Sequence, residues 1–276
     1  MRTETFSTPR PLVLDVNLPR GDVEVETVDG EQTTVELVGS GERGEKRIER
    51  AVVELNPRND HDELVVDCDL EDFGFHHKRI KLSISLDRSD SIHVRIRAPH
   101  GATLRARTGS ADIRAVGRYG ELETQTASGD VSVDEVDRDA KIKVASGDVK
   151  IDRVGGSFRG QTAAGDLRVG PVGGDAEIKT AAGDVDLDEV GGSVSINSAS
   201  GDLRVGAVTK GSVELKSVSG DMLVGIRRGS RVWMDVKTIT GDATSDLDTG
   251  ADDDGEGPLV ELKATAMSGD IKIVRA

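Results

Sequence analysis

Residues 129–146 read GDVSVDEVDRDAKIKVAS, and this stretch contains the pattern from which the fold can be predicted. Apolar and polar residues alternate in two short runs, first at Val131 and Val133 and then at Ile142 and Val144. Alternation with a period of two is typical of a β-strand that buries one face. Each unit of this kind therefore consists of two strands and two turns.

The unit recurs along the chain, and an aspartate at the turn, preceded in most copies by Ser-Gly or Ala-Gly, marks each copy. The first six of these aspartates are 18 residues apart, and the next three follow at intervals of 19, 21 and 28 residues. Repeats this short cannot bury their apolar faces alone, so they stack on one another. The marking residues are Asp112, Asp130, Asp148, Asp166, Asp184, Asp202, Asp221, Asp242 and Asp270.

Stacking of these units predicts an all-β fold, a single-stranded parallel β-helix (a solenoid) with two strands in each 18-residue coil. We expect residues 108–276 to form the solenoid, with an acidic insertion at residues 244–258 that stretches the last interval. Residues 1–107 are expected to form a β-rich capping segment that is continuous with the solenoid. Residues 41–51, GERGEKRIERA, are the only plausible helix in the chain.

The repeat, written SGDVxVDxVGGSVxIxTA with x for any residue, resembles that of the bacterial putative-adhesin β-strand-repeat family, a family of unknown function. The opening segment TFSTPRPLVLDVNLPRGDVEVETVD (residues 5–29) is similar to the N-terminal segment of that family. The resemblance covers most of the chain and implies a β-solenoid fold. It implies no catalytic residues and no cofactor.

Composition excludes several classes of partner. The formal net charge is −15, which argues against binding to nucleic acid or to an anionic membrane surface. The single cysteine, Cys68, cannot form an internal disulfide, and no apolar stretch is long enough for a membrane span. The first residues lack the pattern of a secretory signal, so a cytoplasmic location is expected.

Two groups of acidic residues are candidate calcium sites. The repeated aspartates, above all Asp130, Asp148, Asp166, Asp184 and Asp202, could bind Ca²⁺ along one edge. Each could instead bond the backbone of its own turn, and the sequence favours this structural role because each turn supplies only one carboxylate.

The second group lies in the acidic insertion and contains Asp252 and Asp254. Read as a calcium loop that begins at Asp252, this stretch places Lys263 where a bidentate Glu is required. The sequence therefore favours a solvated insertion between coils over a metal site.

No motif of an enzyme is present, and the outward-facing positions of the coils mix charges without a convergent cluster. We therefore expect no cofactor and no catalysis; a solenoid carbohydrate enzyme would need aromatic platforms, and the chain has one Trp and one Tyr. The favoured function is a scaffold or protein-interaction module in the cytoplasm or at the inner face of the envelope, and a calcium-binding adhesin is a remote alternative.

The main alternative is self-assembly through an open last strand. Ile271, Ile273 and Val274 lie close to the final residue, Ala276. An unpaired strand edge at the end of a solenoid invites pairing with another chain. End-to-end dimers would then be the simplest assembly, because the N-terminal segment caps the other end.

Overall fold

The computed structural model describes residues 1–68, 91–247 and 257–276, and it shows a β-solenoid with two stacks of parallel strands, called the two sheets below, which long N-terminal strands join into one continuous sheet. The N-terminal elements are β1 (Arg2–Ser7), β2 (Leu12–Val28), β3 (Gln32–Gly39), α1 (Gly41–Arg50), β4 (Val52–Pro57), β5 (Asp62–Asp67), β6 (Ile92–Pro99) and β7 (Thr103–Tyr119).

The regular coils follow, each with one strand in each sheet. Their strands are β8 (Leu122–Ser128), β9 (Val131–Val136), β10 (Ala140–Ser146), β11 (Val149–Val154), β12 (Phe158–Ala164), β13 (Leu167–Val169), β14 (Ala176–Ala182), β15 (Val185–Val190), β16 (Val194–Ser200), β17 (Leu203–Val208), β18 (Gly211–Ser219) and β19 (Met222–Ile226). The last elements are β20 (Arg231–Thr240), β21 (Ala243–Ser245), β22 (Leu259–Ser268) and β23 (Ile271–Arg275). The predicted all-β solenoid with one short helix is confirmed.

The core consists of the predicted inward columns, stacked in register. Ile142 of β10 is paired with Gly160 of β12, and Gly160 is paired with Ile178 of β14. Phe158 fills the space that the missing side chain leaves, because a Cβ on Gly160 would lie 3.0 Å from the Phe158 ring. The aliphatic columns thus accommodate one aromatic residue by placing glycine beside it.

Glycine is required at the corner that separates the two sheets. Gly147 has a φ of 137°, in the left-handed region that favours glycine. A Cβ at this position would also clash with the carbonyl of Gly129 in the preceding coil. The repeated Gly-Asp turn therefore permits both the sharp bend and the close stacking of corners.

At the N-terminal end the coils do not stack in chain order. Strand β2 pairs with β7 on one side and with β5 and β6 on the other, so the coil of residues 12–28 is the second in space. Pairing in register with the repeats thus begins at Leu12, well before residue 108. Strand β3 covers β6, β1 covers β3, and β4 covers β5, all antiparallel, while α1 packs on β3.

The C-terminal end has the same transposition. Strand β22 pairs with both β18 and β20, and β23 pairs with both β19 and β21. The coil of residues 259–275 is therefore inserted between the coil of residues 211–226 and the coil of residues 231–245. We call this last coil, formed by β20 and β21, the terminal coil.

The insertion corrects the prediction of an open last strand. Ile271 and Ile273 of β23 are paired along both edges and their side chains are buried, while Val274 is paired with β19 alone. The reason is apolar content: the coil that contains these residues fills its core positions with aliphatic side chains. The terminal coil has Ala243 and Ser245 where its neighbour has Ile271 and Ile273, and it lies outside.

Candidate functional site

The repeated aspartates line one corner of the solenoid, and each carboxylate bonds the neighbouring coil. Oδ1 of Asp130 accepts a hydrogen bond from the N–H of Asp148 at 2.8 Å, and Oδ1 of Asp184 accepts one from Asp202 at 2.8 Å. The sequence predicted a bond within the residue's own turn, so the structural role stands but its partner is corrected. In stacking order the ladder is Asp112, Asp130, Asp148, Asp166, Asp184, Asp202, Asp221, Asp270 and Asp242.

These bonds leave the ladder poorly suited to calcium. One carboxylate oxygen at each step is taken up by a backbone N–H, whereas Ca²⁺ needs six to eight oxygen ligands. Within the described residues, no group of three or more His, Cys, Asp or Glu side chains is placed to hold a metal ion. Asp252 and Asp254 lie outside the described residues.

A second ladder, at the opposite corner, was missed by the sequence reasoning. The N–H of Ser157 donates to Oδ1 of Asp139 at 2.8 Å, and the N–H of Ser193 donates to Oδ1 of Asp175 at 2.7 Å. Each of these residues directly precedes the first apolar residue of a strand. The available signal was an Asp or Ser at that position in successive units, which is weaker than the Gly-Asp turn because the residue type alternates.

Tyr119 and Cys68 are among the ionisable groups that are buried near the N-terminal end. The Tyr119 hydroxyl donates to the carbonyl of Val25 at 2.7 Å and so ties two coils together. Burial raises the pKa of this phenol far above its usual value. Burial also raises the pKa of the Cys68 thiol to about 12, which keeps it protonated and unreactive at neutral pH.

The two outer faces carry exposed charges that pair from coil to coil. Lys141 lies 2.8 Å from Glu123, and its hydrogen bond lowers the pKa of that carboxyl. A shallow groove of about 250 Å³ runs along one face beside Arg159, Glu177 and Ser195. Ser195 lies in register between Glu177 and Glu214, but in the described part of the chain no hydrogen bond joins a serine hydroxyl of this groove to a carboxylate. Exposed ion pairs such as these are worth little.

The terminal coil is the exception to an otherwise closed core. Val260 and Leu262 of β22 are fully buried at 0% exposure. Their partners in β20 are Val232, which is half-buried, and Met234, which is 38% exposed. Among the described residues no strand pairs with the outer edge of β20, so this coil leaves both backbone groups and apolar side chains accessible.

An apolar stripe runs along the corner next to this coil. Val218, Met267 and Ile239 occupy equivalent positions in the last three coils of the stack, where they are 50%, 54% and 79% exposed. We call these three residues the apolar stripe. In the five coils that precede them in the stack, the same column contains alanine: Ala127, Ala145, Ala163, Ala181 and Ala199.

Comparison with known proteins gives one family match and several similar solved structures. The Toastrack DUF4097 family matches residues 12–274, which confirms the resemblance seen in the repeat. A comparison with curated proteins gives no match. Similar solved structures include a putative adhesin from Bacteroides fragilis, with 12% identity over 99% of this chain and 96% of that one and a TM-score of 0.49.

A second similar structure is a putative lipid binding protein from Parabacteroides distasonis. It is 12% identical over 98% of this chain and 96% of that one, with a TM-score of 0.45. Likeness at this level carries no argument about what the present chain binds. The described residues also include no helix that is long and apolar enough to cross a membrane.

Proposed function

The chain belongs to the Toastrack DUF4097 family, and we propose that it is a non-enzymatic protein-interaction module that binds its partner through the C-terminal end of the solenoid. One observation carries this proposal. Among the described residues, all of the exposed large apolar side chains except Met1 and Val38 lie in the last three coils of the stack. The exposed set at this end is Val218, Trp233, Met234, Ile239, Leu259 and Met267.

Exposed apolar side chains that cluster on a soluble protein mark sites of interaction. Tryptophan and methionine are enriched in the buried centres of protein interfaces, and both occur in this cluster. The rest of the described outer surface has many paired charges, and its shallow groove is lined mainly by polar and charged side chains, which supports an interaction module over an enzyme. The mixture of apolar and charged residues around Trp233 favours a protein partner.

The test replaces the three residues of the apolar stripe with alanine, the residue that earlier coils have at this position. A triple variant with Val218→Ala, Met267→Ala and Ile239→Ala should fold, because the same column contains alanine in five other coils of the solenoid. We expect affinity pull-downs from the native host to recover the partner with the wild type and with the control Val38→Ala, but not with the triple variant. Equal recovery by all three proteins would remove the C-terminal end as the binding site.

The cytoplasmic location, with or without contact with the inner face of the envelope, stays a prediction. Fractionation of the native host, with detection of the untagged protein, would test it.

A further inference from the structure

We propose that the partner of the terminal coil is a second copy of this chain, which binds edge to edge through β20 about a two-fold axis at Val236. This inference rests on the proposed function in so far as it places the interaction surface at the C-terminal end. It adds the identity of the partner, the strand that binds and the register of the pairing.

The free edge of β20 presents a regular set of backbone groups. Arg231 donates its N–H to the carbonyl of Pro258, on the side of the neighbouring coil. The backbone groups of successive strand residues point to opposite edges. Val232, Met234 and Val236 therefore direct their N–H and C=O groups to the free edge, where an antiparallel strand can bind them.

The side chains of β20 are self-complementary when Val236 lies opposite its own copy. In this register, Trp233 faces Ile239 of the second copy, and both side chains are exposed in the single chain, at 58% and 79%. Asp235 then faces Lys237 of the second copy. The two-fold axis repeats each pair, so the interface gains two apolar pairs and two pairs of opposite charge.

Neighbouring registers of the strand pairing are less favourable because they bring together like charges or mismatched faces. A slip by two residues in one direction places Asp235 opposite its own copy, and a slip in the other direction places Lys237 opposite its own copy. A slip by one residue sets core-facing side chains against outward-facing ones. Charge and facing thus select the register that is centred on Val236.

The other end of the molecule explains why pairing stops at two copies. A filament would need the terminal coil of one copy to bind the N-terminal end of the next. There, β3 and β4 already cover the outermost coil, and Arg2 of β1 bonds the carbonyls of Ile48 and Ala51 at the end of α1. Strand β4 ends in Pro57, which has no N–H to donate.

Cysteine cross-linking tests the register directly. Opposed residues that exchange hydrogen bonds in antiparallel strands have Cα atoms about 5.5 Å apart, within the range of a disulfide. Mild oxidation of purified Val236→Cys should therefore give a covalent dimer. Val232→Cys is the matched control, because in this register its two copies lie about 27 Å apart at about 3.4 Å per residue.

The native Cys68 does not confuse this experiment, since it is buried and the wild type provides the baseline. A covalent dimer from Val236→Cys and none from Val232→Cys supports the register. Equal cross-linking of the two variants, or none from Val236→Cys, overturns it.

Charge reversal tests the same pairing without a covalent bond. Asp235→Lys or Lys237→Asp creates two like-charge contacts, so each should weaken dimerisation roughly ten- to thirtyfold. The double variant restores both the contact between copies and the pair that Asp235 and Lys237 form within one strand at 2.9 Å. Its dimer constant should return to near the wild-type value.

The matched control is Glu177→Lys, which breaks a similar pair with Lys179 in an inner coil and should leave dimerisation unchanged. Sedimentation equilibrium of the purified proteins gives the constants. A wild type that stays monomeric at about 1 mM, a concentration that detects even a weak association, overturns the proposal. Such a result, combined with a successful pull-down, would leave the proposed function intact with a different protein as partner.

Discussion

The two ends of the solenoid differ in how the core and the strand edges of the outermost coil are covered. At the N-terminal end, Leu64 and Val94 of the outermost coil are as buried as residues in the middle of the stack, because antiparallel strands and α1 surround that coil. At the C-terminal end, Met234 lies at a core position and is exposed. One end is finished by additional chain, and the other is left with an edge that a second molecule can use.

Both ends share the same transposition of coils, so the transposition cannot explain why only one end is covered. In each case the outermost coil is made by residues that are neither first nor last among the coils in the chain. Transposition alone therefore does not protect an end. The difference comes from the antiparallel strands β1, β3 and β4, which have no counterpart beside β20 among the described residues.

The largest effect is expected from equivalent core positions in two adjacent coils. Leu262 is fully buried and Met234, its partner in register, is not. Leu262→Ala should cost about 2–5 kcal/mol of unfolding free energy, and Met234→Ala less than about 1 kcal/mol. Urea denaturation of the two variants measures both. Similar losses would mean that the terminal coil is as tightly packed as the inner ones.

The next prediction concerns the pH dependence of the unfolding free energy, to which buried Cys68 at the N-terminal end contributes. The pKa of Cys68 is raised to about 12 by burial, so the folded state keeps its proton where the unfolded chain loses it. Stability from this group is complete below pH 9 and falls by about 1.4 kcal/mol per pH unit between pH 9 and about 12.

Cys68→Ala should therefore have a shallower alkaline loss of unfolding free energy than the wild type, with parallel profiles below pH 8 on the same principle. Chemical denaturation at a series of pH values gives the two slopes. Superimposed profiles above pH 9 would show that the thiol is accessible in the folded cap.

A smaller difference in unfolding free energy is expected between positions along the aspartate ladder. Asp184→Ala leaves the N–H of Asp202 without its acceptor and should cost about 1 kcal/mol. Asp242→Ala, at the end of the ladder, should cost close to nothing, since no described N–H bonds its carboxylate. Asp184→Asn keeps an acceptor oxygen and is the matched control. Equal losses at Asp184 and Asp242 would contradict the proposed role of the ladder.

The smallest expected effect is that of calcium. Because the ladder oxygens bond backbone N–H groups, millimolar Ca²⁺ should shift the melting temperature by less than about 1 °C. Thermal melting with calcium, and with magnesium as the control, measures this. A calcium-specific rise of several degrees that Asp184→Ala abolishes would instead make the ladder a metal site.

The repeat predicted the coils and the inward columns, because these depend on local alternation and on turn residues, and the charged stretch at residues 41–51 predicted the helix. It did not predict the order in which the last coils stack. The turns at Asp221, Asp242 and Asp270 are alike, so any of them fits beside any other. The available signal was the weaker apolar content of the terminal coil, where Ala243 and Ser245 stand at core positions that other coils fill with larger aliphatic residues.

The candidate sites were less predictable than the fold. An aspartate in a turn has the same local sequence whether it bonds its own turn or the next coil, so the partner of Asp130 could not be read from its neighbours. The apolar stripe was visible only after stacking, because Val218, Met267 and Ile239 are separated in the chain and out of order. Interactions between coils set both features.

The inserted coil also bears on how the protein folds. During synthesis, residues 231–245 emerge before residues 259–275, yet the later residues lie inside the stack. The earlier coil must either wait undocked or pair first with β18 and β19 and then give way. The last step of folding is thus expected to be a strand insertion, slow and dependent on the complete chain, and not the simple addition of one more coil.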